Sequence, residues 1–186
     1  IHAFKTAFGG SAGKDVGLVI KTQSTKRNRG AFEELKTHLK GIENIYLIEN
    51  RLSREDVYSL MYSVDAYVSL HRSEGFGLTV AESMYLGKPV LSTDWSATTE
   101  FVNTHNGCPI DFELVKLERN FGPYSKGQYW ANAYPSEAAK MMQKLVNDSE
   151  FARKIGEEAA KTIRGRFSPE LIGKIYEKRM KSHTLW

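Results

Sequence analysis

Short apolar runs alternate with amphipathic stretches along the first half of this chain, and that alternation restricts the fold more than any other feature. Val16 to Ile20, Ile45 to Ile48, Ala66 to Leu70 and Pro89 to Leu91 are brief, rich in β-branched residues and bounded by polar or turn residues, as buried strands are. Between them lie stretches with helical spacing. Phe32, Leu35 and Leu39 share one face of a helix over Ala31 to Leu39, ended by Gly41. Ser53 and Asp56 form a capping-box start for a helix carrying Val57, Leu60, Met61 and Val64. Thr79 to Leu86 is a third helix, stopped by Gly87. Strand and helix in strict alternation with short connections predict an α/β domain, a Rossmann-like parallel sheet with helices on both faces. Ligands of such sheets bind beyond the carboxyl ends of the strands.

The rhythm loosens past Asn106. The stretch holding Gly122, Pro123, Tyr124, Gly127, Tyr129 and Trp130 reads as lacking regular structure. Helices return at Ser136 to Val146, at Ser149 to Ile163 and, with Ser168 as cap and Pro169 at the first helical position, to about Lys181. No internal repeat or interdomain linker interrupts the 186 residues, which read as a single domain. At that length about 70% of the unfolded surface can be buried, so no disulfide or metal staple is needed. The lone Cys108 cannot form an intrachain bridge, which points to a reducing, cytoplasmic setting. No apolar run approaches the roughly 20 residues that cross a bilayer. The chain starts at Ile1, and Ile1, Ala3, Phe4, Ala7 and Phe8 already follow helical spacing with no cap ahead of them, closed by Gly9 and Gly10. That start reads as a fragment beginning inside a helix. A net charge of +4 is too mild to argue for nucleic acid and suits an anionic small molecule.

The segment that carries chemistry runs from His71 to Glu82, HRSEGFGLTVAE. It joins the end of a buried strand to the start of a helix through Gly75 and Gly77. Backbone N–H groups near Gly77, Leu78 and Thr79 face out of the helix start, where the macrodipole favours an anion, and the two glycines let a phosphate approach the backbone. Glu74 and Glu82 flank this cradle. An ionised carboxylate only accepts hydrogen bonds, and adjacent sugar hydroxyls offer two donors at matching spacing. A phosphate between two hydroxyl-binding carboxylates describes a nucleotide sugar.

Glu74-Gly75-Phe76-Gly77-Leu78 with a second Glu eight positions after the first, then Gly87-Lys88-Pro89-Val90, resembles the signature of the retaining glycosyltransferases of family 4, the group 1 glycosyltransferases. The resemblance covers about Ile1 to Val146. It implies the C-terminal, donor-binding half of the two-domain GT-B architecture, with the N-terminal domain and the first strand of this one absent. It implies that Glu74 holds hydroxyls of the donor sugar as the catalytic-site carboxylate, that Glu82 holds the ribose, and that the amides of Phe76 to Thr79, flanked by Gly75, meet the distal phosphate and the sugar. It also implies a GDP- or UDP-linked donor, no cofactor, no metal, and a glycan or lipid-linked glycan acceptor in polysaccharide biosynthesis. Such enzymes offer no agreed protein nucleophile, and the paired carboxylates of glycosidases do not carry over.

Further residues stand around this motif. Relatives carry an Arg and a Lys near the first strand that neutralise the leaving diphosphate, upstream of Ile1; the nearest basic candidate present is Lys21. Asn50-Arg51-Leu52 falls where relatives contact the base, so Arg51 and Leu52 are donor-site candidates. His71 is either satisfied by neighbouring backbone or a pocket residue near the donor sugar. Asp94-Trp95-Ser96-Ala97 replaces a glycine-containing loop of relatives and suggests no site. The stretch Pro123 to Ala131 resembles a loop of bacterial polysaccharide mannosyltransferase-like members, but Asn132-Ala133 stands where those have Glu-Pro. Trp130 and Tyr124 read as packing residues. From Arg164 to His183 six Lys or Arg face two Glu on a helix that also carries Leu171, Ile172, Ile175 and Tyr176. That face is either simply solvated or a peripheral contact with an anionic membrane surface. Two competing functions fit the same motif: a non-catalytic nucleotide-sugar-binding module and a GT-B-type nucleotide-sugar epimerase.

Overall fold

The computed structural model describes residues 1–9, 15–22 and 28–183, without the side chain of residue 183. Gly10, expected to help close the first helix, lies outside the described residues. Helix α1 (His2–Phe8), strand β1 (Leu18–Lys21), α2 (Arg29–Leu39), β2 (Ile45–Ile48), α3 (Arg54–Ser63), β3 (Tyr67–Ser69), α4 (Leu78–Tyr85) and β4 (Val90–Thr93) follow one another in the expected order. The capping box of α3 forms as expected: the Asp56 N–H donates to Ser53 Oγ at 3.0 Å, and the Ser53 N–H donates to the Asp56 carboxylate at 3.3 Å.

All strand pairs in this part are parallel. β1 pairs with β2, and β3, β4 and then β5 (Cys108–Ile110) form a second parallel set with β4 in the middle. Adjacent residues of β4 show why helices cover both faces, because successive strand side chains point to opposite sides. Leu91 packs with Ala3, Phe4, Ala138 and Met142 of α1 and α5 (Pro135–Asn147). Val90 packs with Val80, Met84, Ala159 and Ile163 of α4 and α6 (Ser149–Arg166). Leu18, Ile45 and Val68 lean on the first of these clusters, which joins the two strand sets through one core. A last helix, α7 (Pro169–His183), leaves Ile175, Tyr176 and Met180 exposed.

One expectation needs correction: the chain past Asn106 is regular. Besides β5 it holds an antiparallel hairpin of β6 (Phe112–Lys116) and β7 (Tyr129–Ala133), with Val115 opposite Trp130. Its strands are mixed in polarity, Phe-Glu-Leu-Val-Lys and Tyr-Trp-Ala-Asn-Ala, so no apolar run marks them. Its connection is too long for a tight-turn signature. That connection is held by its own ladder: Phe121 and Tyr124 exchange backbone hydrogen bonds at 2.8 and 2.9 Å, and the Leu117 N–H donates to Gln128 O at 2.8 Å.

Cys108 lies in the core at 1% exposure. Burial pushes its thiol up from an ordinary 9.0 to about 11, against a smaller opposite pull from Lys144. The protonated thiol is therefore favoured by folding, a contribution present below pH 9 and lost as pH rises toward 11. At pH 8 iodoacetamide should leave the native chain unmodified by mass spectrometry and alkylate one thiol per chain in guanidinium. Rapid native labelling would contradict the packing described.

Candidate functional site

β3 ends at Ser69, and the chain crosses the carboxyl edge of the parallel strands before α4 begins. The turn into α4 depends on Gly77, which sits at φ +88°. A Cβ there would lie 2.6 Å from Thr98 Cγ2 and 3.6 Å from Phe101 Cζ, so both the left-handed backbone and the space behind it require glycine. This refines the role expected for the two glycines: Gly77 is needed on its inner side, while a Cβ on Gly75 would meet nothing within 4 Å. Phe76 turns back onto Phe101 and Phe167, with ring centroids 5.5 and 5.7 Å away, which pins the loop. No side chain caps α4 and no acidic residue occupies its first turn. Its leading amides at Leu78 and Thr79 are left for a ligand or solvent.

The two glutamates stand on either side of that helix start. The Glu74 N–H donates to Ser96 Oγ at 3.0 Å, and the Glu74 carboxylate folds back to accept the Gly75 N–H at 3.1 Å. Glu82 accepts the Tyr58 hydroxyl at 2.9 Å, and Arg54 Nη2 lies 3.6 Å from the same oxygen. Arg54 also donates to the Tyr58 oxygen at 2.7 Å, so α3 reaches the site through an Arg54–Tyr58–Glu82 chain. Tyr67 connects the two sides. Burial first, and then the charges of Glu74 and Glu82, push its phenol above the ordinary value of 10.0, while a hydrogen bond with Thr79 pulls it down. One phenol thus feels both carboxylates and touches the first turn of α4.

The structure brings Glu74, Gly75, Phe76, Gly77, Leu78, Thr79 and Glu82 together, and it shows what His71 bonds to. The Trp95 carbonyl can only accept, so His71 Nε2 carries the proton it donates at 3.0 Å, and Nδ1 shares a hydrogen bond of 3.2 Å with Ser69 Oγ. Both ring nitrogens are used in fastening the loop. Lys21 lies at the carboxyl end of β1 and spends its ammonium on the Thr22 carbonyl at 2.7 Å. Arg51 is exposed and Leu52 half-buried just ahead of α3. Among the described residues, no hydrogen bond or ion pair joins Lys21, Arg51 or Leu52 to the Glu74–Glu82 group.

Tyr58, Tyr67, Arg54 and Ser96 are participants the sequence reading missed. Ser96 opens a 3-10 helix, Ser96–Glu100, and holds φ +63°, a left-handed backbone uncommon for a serine. It stands in the segment from which no site was expected, yet its hydroxyl is what holds the Glu74 amide. No sequence signal marked it, because the left-handed backbone and the Glu74 partner both come from the tertiary structure. Trp130 packs on Phe121 and Tyr124, with centroids 5.1 and 6.0 Å apart.

The profile of the glycosyl transferases group 1 family matches residues 11–162. The chain is a group 1 glycosyltransferase domain. It is 25% identical over 160 residues to the alpha-1,3/1,6-mannosyltransferase ALG2 of Dictyostelium discoideum, covering 85% of this chain and 32% of that protein. The chain thus spans about a third of the length of the curated relative. Among solved structures it resembles the C-terminal domain of the group 1 family protein LpcC from Francisella tularensis, with TM-score 0.70, 21% identity, and coverage of 90% of this chain and 77% of that one. It also resembles HepE of Anabaena solved with UDP-glucose, with TM-score 0.65, 17% identity, and coverage of 89% and 41%. These neighbours establish that the fold is that of a GT-B glycosyltransferase domain.

Proposed function

We propose that this group 1 domain is the donor-binding half of a retaining, metal-independent glycosyltransferase of the family 4 type. In this reading the enzyme moves a sugar from a GDP- or UDP-linked donor onto a glycan or lipid-linked glycan in polysaccharide biosynthesis. The observation that carries the reading is the placement of Glu74 in the glycine turn and Glu82 in the helix it opens, around a helix start that no side chain caps. Glu82, already ordered by Tyr58, accepts the ribose hydroxyls, and Glu74 exchanges the Gly75 amide for sugar hydroxyls. The amides from Phe76 to Thr79 take the distal phosphate. When the bond from the anomeric carbon to the diphosphate breaks, the electron pair leaves with the phosphate oxygen, and those amides and the α4 dipole stabilise its charge. No side chain is assigned as nucleophile or base. The rest of the leaving-group charge is met by a further domain, which shares the acceptor with this one. The reading also places the enzyme in the cytoplasm, with the basic face of α7 as a peripheral membrane contact.

The neighbour solved with UDP-glucose supports a uridine or related donor. Calorimetric titration of the chain with UDP, GDP and inorganic phosphate tests the reading. Saturable binding of one nucleoside diphosphate, tighter than inorganic phosphate, is expected, and absence of any such preference would overturn it.

A further inference from the structure

The β6–β7 hairpin lies outside the donor-site motif, and an open basin lies against it. That basin has a volume of about 450 Å³. Its walls include Arg72, Lys116, Arg119, Phe121 and Trp130. Arg72 lies over the Trp130 ring at 4.7 Å and Arg119 over the Phe121 ring at 4.8 Å. Three cations face a single wall carboxylate, Glu118. Among the described residues none of the three forms an ion pair. A guanidinium stacked on a ring is held in place while its in-plane N–H donors remain available to an anion. The basin therefore offers apolar ring surface and unneutralised fork donors together, the combination that suits a sugar carrying a negative group.

Its position adds the second half of the argument. The Ala131 N–H of β7 donates to the Arg72 carbonyl at 2.9 Å, which fastens the hairpin two residues ahead of Glu74. Trp95, whose carbonyl takes the His71 proton, also packs on Phe112 of β6, with centroids 5.3 Å apart. The basin is thus tied from two sides to the loop that carries the sugar-binding carboxylate. We propose that it is an acceptor subsite for an anionic sugar, one bearing a phosphate or a carboxylate, and that Arg72 and Arg119 bind the charge while Trp130 and Phe121 carry the ring. The assignment as acceptor rests on the glycosyl-transfer reading above.

The chain is titrated with glucose 6-phosphate, glucuronate, methyl α-glucoside and inorganic phosphate, each with and without saturating UDP, following the indole N–H resonances by NMR. Both charged sugars should move the Trp130 signal with UDP present, and the neutral glucoside should not. Whichever charged sugar binds more tightly tells whether a phosphate or a carboxylate is the natural group. Arg72→Gln and Arg119→Gln should each weaken charged-sugar binding by about 10-fold or more while leaving UDP binding unchanged. Trp130→Phe should remove the shifted signal, and the two arginine variants, altered only at exposed side chains, serve where that variant folds poorly. Equal binding of the glucoside, inorganic phosphate binding as tightly as glucose 6-phosphate, unchanged affinity in both arginine variants, or displacement by UDP would each overturn the proposal. Charged-sugar binding that survives when no nucleoside diphosphate binds would count against the donor reading and leave the basin standing.

Discussion

Glu82→Ala is expected to weaken UDP binding by about 10- to 100-fold, the loss that follows when a charged acceptor of two hydroxyls is removed at about 1.5–3 kcal/mol. Glu74→Ala should behave differently. It faces the sugar end of the proposed donor, so UDP itself should bind within about 3-fold of the parent, and the extra affinity for UDP-glucose over UDP should disappear. Calorimetry with the two ligands on the two variants separates these outcomes. The contrast comes from the geometry: Glu82 is held on the α3 side by Tyr58 and Arg54, whereas Glu74 belongs to the loop tied down by Ser96. Tyr58→Phe gives an internal control. It deletes only the hydroxyl that orders Glu82, and it should cost less than Glu82→Ala, because the carboxylate remains. Variants of both glutamates that bind UDP and UDP-glucose like the parent would remove the site assignment altogether.

The largest effect on stability is expected at Gly156. This glycine lies within α6 where the helix crosses the turn that ends α4, and a Cβ there would stand 2.2 Å from the Gly87 carbonyl oxygen and 3.4 Å from Pro89 Cδ. The obstacle is backbone, and Gly87 itself is committed to φ +77°. It cannot move aside without releasing the turn into β4. Gly156→Ala should therefore destabilise by about 1–3 kcal/mol in spite of alanine's better helix propensity. With about 2–4 °C per kcal/mol for a chain of this size, thermal melting should fall by several degrees. Gly156→Leu should separate α6 from α4 and lose most of the cooperative transition. Gly165 lies in the same helix with nothing within 4 Å of its would-be Cβ, and Gly165→Ala should be neutral or stabilise by up to about 1 kcal/mol. Equal melting of the two alanine variants, read by circular dichroism, would refute the close α4–α6 packing.

Those two glycines show what a sequence withholds. Both stand in the observed α6, whose last turn extends past the Ile163 at which the pattern ended, and it is the neighbour across the interface that separates them. The capping box at Ser53, the strand Ile45–Ile48 and the glycine turn before α4 were legible because capping residues, β-branched runs and turn glycines are signals carried by neighbouring residues, and the strand read at Pro89 to Leu91 forms at Val90–Thr93. The hairpin of β6 and β7 was not, since no apolar run marks its strands and they are held by residues distant in sequence, Arg72 bonding β7 and Trp95 packing on Phe112 of β6.

The candidate site divides along the same line. Local order alone determined the motif from Glu74 to Glu82, with its carboxylates, its glycines and its helix start, because backbone conformation and hydrogen-bonding capacity are properties of neighbouring residues. Tertiary structure decided which other groups complete it. Tyr58 meets Glu82 across 24 positions, and Ser96 meets Glu74 across 22. It also gave His71 a partner that its neighbours in the chain could not supply, the Trp95 carbonyl just past the end of β4. Hydrogen bonds depend on distance in space, and only packing of the helices on the strands brings such pairs within reach.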